Sequence, residues 1–144
     1  MKKLIIIALS LFMSIQLFAQ QNGDTIISNN PQKVKLRVLY FHIEHRCNTC
    51  HSIEKYLRKT LFENFKAQID SGIIDLSIMN CEDPKNAEIS KKYDAYGATL
   101  AITPYDANGQ ELKYEDMTGW AFKTIGNPEL FSSQLKEKIT SYLK

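Results

Sequence analysis

Two cysteines three positions apart are the residues of this sequence best suited to chemistry. Cys47 and Cys50 enclose Asn48 and Thr49. A disulfide that closes so small a loop removes little chain entropy from the unfolded state, so it contributes little as a structural staple. A C-x-x-C pair is instead typical of redox centres in which a dithiol and a disulfide interconvert. The pair therefore predicts thiol-disulfide chemistry.

The two thiols are expected to have different roles. Cys47 is the candidate nucleophile, because only a thiolate attacks a disulfide and a helix N-terminus stabilises that anion. Cys50, one helical turn later, is the candidate resolving thiol. The neighbours expected to tune the site are His45, Arg46, Asn48, Thr49 and His51. Arg46 and His45 could add positive potential, and we expect no cofactor.

Haem attachment is one alternative for the same residues. Residues 47–51 read CNTCH, which matches the C-x-x-C-H pattern of c-type haem, with both thiols bonded to the haem and His51 as an axial ligand. Small haem domains are mostly helical, however, and this motif directly follows an apolar run typical of a strand. Haem is therefore the less favoured interpretation.

Metal binding or delivery is a second alternative. Thiolates and imidazoles suit copper(I) or zinc. The side chains that could take part are His42, His45, Cys47, Cys50, His51 and Cys81. Each histidine alone is better explained by a structural role, so we expect no metal.

Cys81 has two interpretations of its own. It lies at the end of a predicted strand, where a small buried residue needs no function. That strand should neighbour the one that leads to Cys47, so Cys81 is also a candidate third redox thiol.

The first half of the domain predicts a β-α-β unit. Residues 34–43 (VKLRVLYFHI) turn from alternation to continuous apolarity, as expected of a central strand. Residues 47–69 have the period of an amphipathic helix, which should stop near Ser71 and Gly72. Residues 73–81 resume alternation, so the two strands should be parallel with a right-handed crossover.

The second half predicts a helix, a β-hairpin and a closing helix. The elements are a helix from Asp83 and Pro84 to Tyr96, ending at Gly97, a strand over residues 99–103, a hairpin turn at residues 106–109, a strand over residues 110–114, an irregular segment over residues 115–126 and a helix from Asn127. Trp120 should cover the core near the last helix. The order favours an α/β fold with a mixed four-stranded sheet between helices.

Residues 34–144 resemble the thioredoxin-fold oxidoreductases. The resemblance rests on a strand ending in an aromatic run, the C-x-x-C motif, a long helix, a strand ending NCEDP, a Tyr-Gly helix end and an Asn-Gly hairpin. The segment YFHIEHRCNTCHSIEKY, with the Trp120 region and the last helix, is more closely similar to an exported family described as nitrophenyl compound nitroreductase subunit ArsF. That resemblance implies an accessory subunit, since the chain has no Gly-rich dinucleotide fingerprint.

The chain departs from the thioredoxin pattern at two informative positions. Ala98 stands where that family usually carries a cis-proline, so Ala98 and Thr99 form the expected loop facing the cysteines. Phe41 stands where thioredoxins keep a buried acid, so a proton-relay role for that acid does not carry over.

The first residues predict export. Residues 1–19 have a positive start, Lys2 and Lys3, and a short apolar run, as in a cleavable signal peptide. We expect a flexible lead-in over residues 20–33, a thioredoxin-like domain over residues 34–144, and a periplasmic or secreted location with no membrane span after signal removal. Without the two lysines, 16 basic residues face 16 acidic ones, which does not favour nucleic-acid binding.

The predicted function is that of an exported thiol-disulfide oxidoreductase or electron-transfer protein. Its partner would be a protein or small molecule carrying a disulfide or dithiol, and we expect a monomer. A docking module with a vestigial motif is the non-enzymatic alternative.

Overall fold

The computed structural model describes residues 25–26 and 33–144. The predicted signal peptide and most of the predicted lead-in lie outside these residues. In chain order the elements are β1 (Thr25–Ile26), β2 (Leu36–His42), α1 (Asn48–Asp70), β3 (Ile74–Asn80), a 3-10 turn (Pro84–Asn86), α2 (Ala87–Lys92), β4 (Thr99–Pro104), β5 (Glu115–Asp116), α3 (Thr118–Thr124) and α4 (Pro128–Leu143).

The sheet is mixed and has the strand order β1-β3-β2-β4-β5. β2 and β3 are parallel along their whole length, from Leu36 opposite Ile74 to His42 opposite Asn80, so the predicted β-α-β unit is confirmed. β4 is antiparallel to β2, and β5 is antiparallel to β4. The two-residue β1 is antiparallel to β3 and adds a fifth strand.

Alternation along the strands builds a core on each face of the sheet. In β2, Leu36, Val38 and Tyr40 face the larger cluster, to which α1, α3 and α4 contribute their apolar residues. Leu39 and Phe41 face a smaller cluster that contains Tyr93 and Ala95, from the end of α2. β2 is therefore covered on both sides, as its continuous apolar run predicts.

The helix α1 begins and ends where the sequence predicts. Its buried stripe consists of Ile53, Leu57, Leu61, Phe65 and Ile69, together with Cys50 and Thr60. At its end Gly72 has φ 77°, and the N–H groups of Gly72 and Ile73 donate to the carbonyls of Ile69 and Gln68. These are the two hydrogen bonds of a Schellman motif, which glycine forms without a steric penalty.

The second helix is shorter than predicted. It was expected to run to Tyr96, but α2 ends at Lys92. Asp94 takes the left-handed conformation with φ 52°, and the N–H of Ala95 donates to the carbonyl of Ser90 at 2.8 Å. Asp is one of the few residues that tolerate this conformation, so the chain can leave the helix at Asp94, and α2 ends five residues before Gly97.

The hairpin turn is present, but the strand predicted over residues 110–114 is not. After the turn, a single β-bridge joins Glu111 to Tyr105, the residue that follows β4. The strand that pairs with β4 is β5, which begins only at Glu115. Backbone hydrogen bonds from Asp106 to Gln110 and from Leu112 to Pro104 hold the segment at the turn. Side chains add to them, since Glu111 accepts hydrogen bonds from Arg37 at 2.7 Å and from the Tyr105 hydroxyl at 2.8 Å.

The segment over residues 115–126, predicted to be irregular, contains the helix α3. The Asp116 carboxylate accepts from the Thr118 N–H at 2.8 Å, close to the start of the helix. Trp120 stacks on Phe131 of α4 with ring centroids 4.8 Å apart, so its predicted place near the last helix is confirmed. The helix α4 also begins as predicted, with Asn127 as its cap.

Together these elements form the thioredoxin-like α/β fold that the element order predicts: a mixed sheet between helices, entered through a β-α-β unit. Within the described residues, no helix has both the length and the apolar character needed to cross a membrane.

Candidate functional site

Cys47 and Cys50 form a disulfide where β2 passes through a short loop into α1. Their Cα atoms are 5.2 Å apart. Cys47 is exposed, whereas Cys50 has only 9% of its surface accessible. An incoming thiol can therefore reach the Cys47 sulfur, and the Cys50 sulfur is sheltered beneath the helix start.

Cys47 is the N-cap residue of α1. Its extended backbone places Sγ within 3.2 Å of the Cys50 nitrogen, whose N–H donates to the sulfur. The first turn of the helix contains no acidic residue. The partial positive charge of the helix N-terminus therefore falls on Sγ of Cys47, and the first turn holds no carboxylate to oppose it.

Tyr40 supports the helix start from below. Its side chain is 1% exposed, and its hydroxyl donates to the Cys50 carbonyl at 3.0 Å. Burial raises the pKa of Tyr40 to about 12, although the nearby Arg46 opposes the rise. The hydroxyl therefore keeps its proton and remains a donor at neutral pH.

Arg46 is engaged by the protein and does not point freely at the disulfide. Its guanidinium forms an ion pair with Glu54 and lies 5.9 Å from the centre of the Tyr40 ring. Arg58 also donates to Glu54, at 2.7 Å. Burial alone would raise the pKa of Glu54, but the hydrogen bonds from Arg58 and Arg46 outweigh it, and the pKa lies below its usual value. Arg46 therefore shares the single negative charge of Glu54 with Arg58.

The other predicted neighbours lie at the surface. His45, Asn48, Thr49 and His51 are all exposed. His42 is half-buried, with Nδ1 3.0 Å from the carbonyl of the next residue. In the described part of the chain, no group of three or more His, Cys, Asp and Glu side chains has an arrangement that could hold a metal ion.

Cys81 lies on the other face of the sheet from α1. It packs against the smaller core cluster, and its thiol lies 3.9 Å from the Gly97 carbonyl. Burial raises the pKa of the Cys81 thiol, and the neighbouring charge of Glu82 adds to the rise. These surroundings fit the structural interpretation of Cys81 better than a third redox role.

The expected facing loop lies at the same end of the sheet as the disulfide. Thr99 opens β4 opposite Phe41, and β2 ends one residue later on the way to Cys47. Ala98 is half-buried against the larger core cluster. The described residues contain no cis peptide bond, in keeping with Ala98 in place of proline.

Three residues of the site were not singled out from the sequence: Tyr40, Glu54 and Arg58. The four-residue spacing of Glu54 and Arg58 on a helix was a readable signal for their pairing. Tyr40 gave no such signal, because a tyrosine within an apolar strand looks in the sequence like any other aromatic residue of the core.

The comparisons with known proteins include a likeness to a solved structure. The chain is similar to the X-ray structure of Fasciola hepatica thioredoxin, at 17% identity, covering 77% of this chain and 84% of that chain with a TM-score of 0.45. No protein-family model and no curated protein matches. The assignment of the chain to the thioredoxin-like α/β class therefore depends on its own sheet order and helix placement. Within that fold, the chain carries a C-x-x-C disulfide at the start of α1.

Proposed function

We propose that this protein is a thiol-disulfide oxidoreductase that uses the Cys47–Cys50 pair. The observation that carries the proposal is the disulfide itself, with an exposed sulfur at the N-cap of α1 and a buried sulfur one turn later. A structural staple gains nothing from such placement, whereas thiol exchange needs one reachable sulfur and one protected sulfur.

In the reducing direction, the Cys47 thiolate attacks one sulfur of a substrate disulfide. A mixed disulfide forms, the substrate's S–S bond breaks, and the second substrate sulfur leaves as a thiolate that takes up a proton. Cys50 then loses its proton and attacks Sγ of Cys47, which releases the first substrate sulfur as a thiol. Two electrons pass from the protein to the substrate, and the Cys47–Cys50 disulfide remains. The oxidising direction is the same sequence reversed.

The surroundings assist both steps. The helix N-terminus stabilises the Cys47 thiolate, both as attacking group and as leaving group. Tyr40 holds the Cys50 carbonyl, so the first turn keeps the geometry in which the two sulfurs can bond. The substrate class is a protein or small molecule that carries a disulfide or a dithiol.

Three single variants test the proposal by the reduction of insulin or of a small disulfide in the presence of a dithiol. Cys47→Ser should abolish turnover, because the attacking sulfur is gone. Cys50→Ser should accumulate a mixed disulfide with the substrate, visible by mass spectrometry, because nothing resolves it. Cys81→Ser is the matched control and should turn over like the parent protein.

Turnover that survives in Cys47→Ser would refute the assignment, as would a Cys50→Ser protein that never captures a substrate thiol. Loss of turnover in Cys81→Ser, in a protein that keeps its fold by circular dichroism, would show that the roles of the three thiols are assigned wrongly.

We also propose that the protein acts outside the cytoplasm as a monomer. The charged and apolar pattern of residues 1–19 supports export, where a disulfide partner is common. Mass spectrometry of the exported product should show an N-terminus at Gln20 or Gln21. An accessory role beside a nitroreductase, implied by the resemblance to the ArsF family, stays a prediction, to be checked by co-purification from the source cells.

A further inference from the structure

A cavity of about 500 Å³ opens between β5, α3 and α4. We name it the Trp120 cleft. The residues of its lining that matter here are Glu115, Asp116, Trp120, Gln134, Glu137 and Lys138. None of them belongs to the disulfide site described above.

Trp120 forms a rigid aromatic wall of the cleft. Its ring stacks on Phe131, which is fully buried, with an angle of 26° between the ring planes. Its indole N–H donates to the Gln134 side chain at 2.8 Å. The stacking contact and the hydrogen bond therefore fix the indole ring. A ligand that stacks on the ring does not lose binding free energy to ordering the Trp120 side chain.

The charges around this wall are predominantly negative. Glu115, Asp116 and Glu137 contribute three carboxylates, and the one cationic side chain among the described residues of the lining is Lys138. Nζ of Lys138 lies 2.8 Å from Oε2 of Glu115, so this ion pair compensates the charge of Glu115. Within the described lining, Asp116 and Glu137 have no cationic partner, and they come from opposite sides of the cleft, β5 and α4.

We propose that the Trp120 cleft binds an arginine side chain of a partner polypeptide. A guanidinium group stacks on indole faces and pairs with carboxylates, and it loses its hydration more readily than an ammonium group. The lining disfavours the opposite ligand chemistry, since an anion would face three carboxylates. A segment carrying arginine is favoured over free arginine because the carboxylates are solvent-exposed, and isolated exposed ion pairs bind weakly.

The chain offers a direct reporter of this binding. Trp120 is the only tryptophan in the sequence, so the intrinsic tryptophan fluorescence comes from the cleft alone. The probe is a capped hexapeptide with two arginines, titrated into the oxidised full-length protein. Its controls are the same peptide with glutamine, and with glutamate, in place of both arginines.

The arginine peptide should change the fluorescence in a saturable manner, and added salt should weaken its binding. The glutamine and glutamate peptides should give no saturable change. Equal binding of the glutamine peptide would overturn the proposal, because the cleft would then recognise backbone or apolar groups. Absence of saturable binding by the arginine peptide would overturn it as well.

Two variants test the carboxylates without disturbing the fold. Asp116→Asn keeps an oxygen that can accept from the Thr118 N–H, and Glu137→Gln changes an exposed side chain. Each variant should lower the affinity for the arginine peptide about threefold, which is the effect of losing one exposed ion pair. The matched control is Glu63→Gln, an exposed acid on α1, which should have no effect.

An equal loss in the Glu63→Gln control would mean that overall charge, and not the cleft, attracts the peptide, and the proposal would fail. The outcome is independent of the thiol chemistry, since insulin reduction by Asp116→Asn and Glu137→Gln is expected to match that of the parent protein.

Discussion

At the scale of single residues, Tyr40 supports the start of α1 from within the core. Its buried hydroxyl bonds to the carbonyl of Cys50, and its ring lies beneath the guanidinium of Arg46. The position of a thioredoxin-type buried acid is occupied by the neighbouring Phe41. The site therefore uses a neutral hydroxyl to hold the first turn, with no carboxylate at that position of β2.

Replacing Tyr40 by phenylalanine should loosen the start of α1. The loss of one buried hydrogen bond should lower the free energy of unfolding by about 1 kcal/mol, measured in urea. With the first turn less well held, the Cys47 thiolate should be less stabilised, and alkylation of the reduced protein by iodoacetamide at neutral pH should slow.

Tyr93→Phe is the matched control for this effect. The Tyr93 hydroxyl is also buried and lies 2.7 Å from Oγ1 of Thr103, on the other face of the sheet. Tyr93→Phe should lower the free energy of unfolding by a similar amount but leave the rate of Cys47 alkylation unchanged. Equal slowing in both variants would show that Tyr40 acts only through global stability.

The Cys81 thiol should react only at high pH. In the oxidised protein it is the single thiol of the three cysteines. Burial disfavours the Cys81 thiolate and raises the pKa of the thiol. Because only the thiolate reacts, Cys81 should become reactive at a higher pH than an ordinary thiol does. Iodoacetamide labelling of oxidised protein, followed against pH with glutathione as reference, should give a midpoint above that of glutathione. A midpoint below it would point to an activated, functional Cys81.

At the scale of elements, the parts that were predictable from the sequence are those with a long period and a clear boundary. The helix α1 has a continuous stripe and a glycine at its end, and β2 has an apolar run that only a doubly covered strand tolerates. The disulfide site follows from these two elements, because the junction between them places Cys47 at a helix start.

The elements whose predicted bounds were wrong have no clear local signal in the sequence. The helix α3 has seven residues, too few for a periodic pattern to show, and Gly119 lies within it. α2 ends at a left-handed Asp94 where no glycine marks the end. The segment after the hairpin is held by Arg37, 74 residues away from Glu111, which no local pattern reveals.

The last helix depends on its cap. Asn127 accepts a hydrogen bond from the Leu130 N–H at 3.1 Å, and the helix carries Phe131 and Leu135 into the larger core. Asn127→Ala should therefore lower the free energy of unfolding by about 1 kcal/mol. Ser133→Ala, on the exposed face of the same helix, should change it by less than about 0.5 kcal/mol. Urea denaturation compares the two, and equal values would show that the cap contributes nothing.

At the scale of the whole molecule, both core clusters draw on residues 36–143, and only β1 of the described elements precedes them. β1 contributes a two-residue pairing along Ser77 and Ile78 of β3. A chain that begins at Lys33 should therefore fold and keep its disulfide chemistry. Its free energy of unfolding should fall by about 1 to 2 kcal/mol, because the few hydrogen bonds between β1 and β3 are lost.

The truncation also uncovers an edge of the sheet. Without β1 the backbone of β3 has free donors and acceptors on one side, and such an edge pairs readily with another chain. Sedimentation should show concentration-dependent association of the chain beginning at Lys33, compared with one beginning at Gln20. Insulin reduction per molecule should stay the same, because the disulfide follows β2, and β3 separates β2 from that edge. A truncated chain that is unfolded by circular dichroism would mean that the boundary of the domain lies before Lys33.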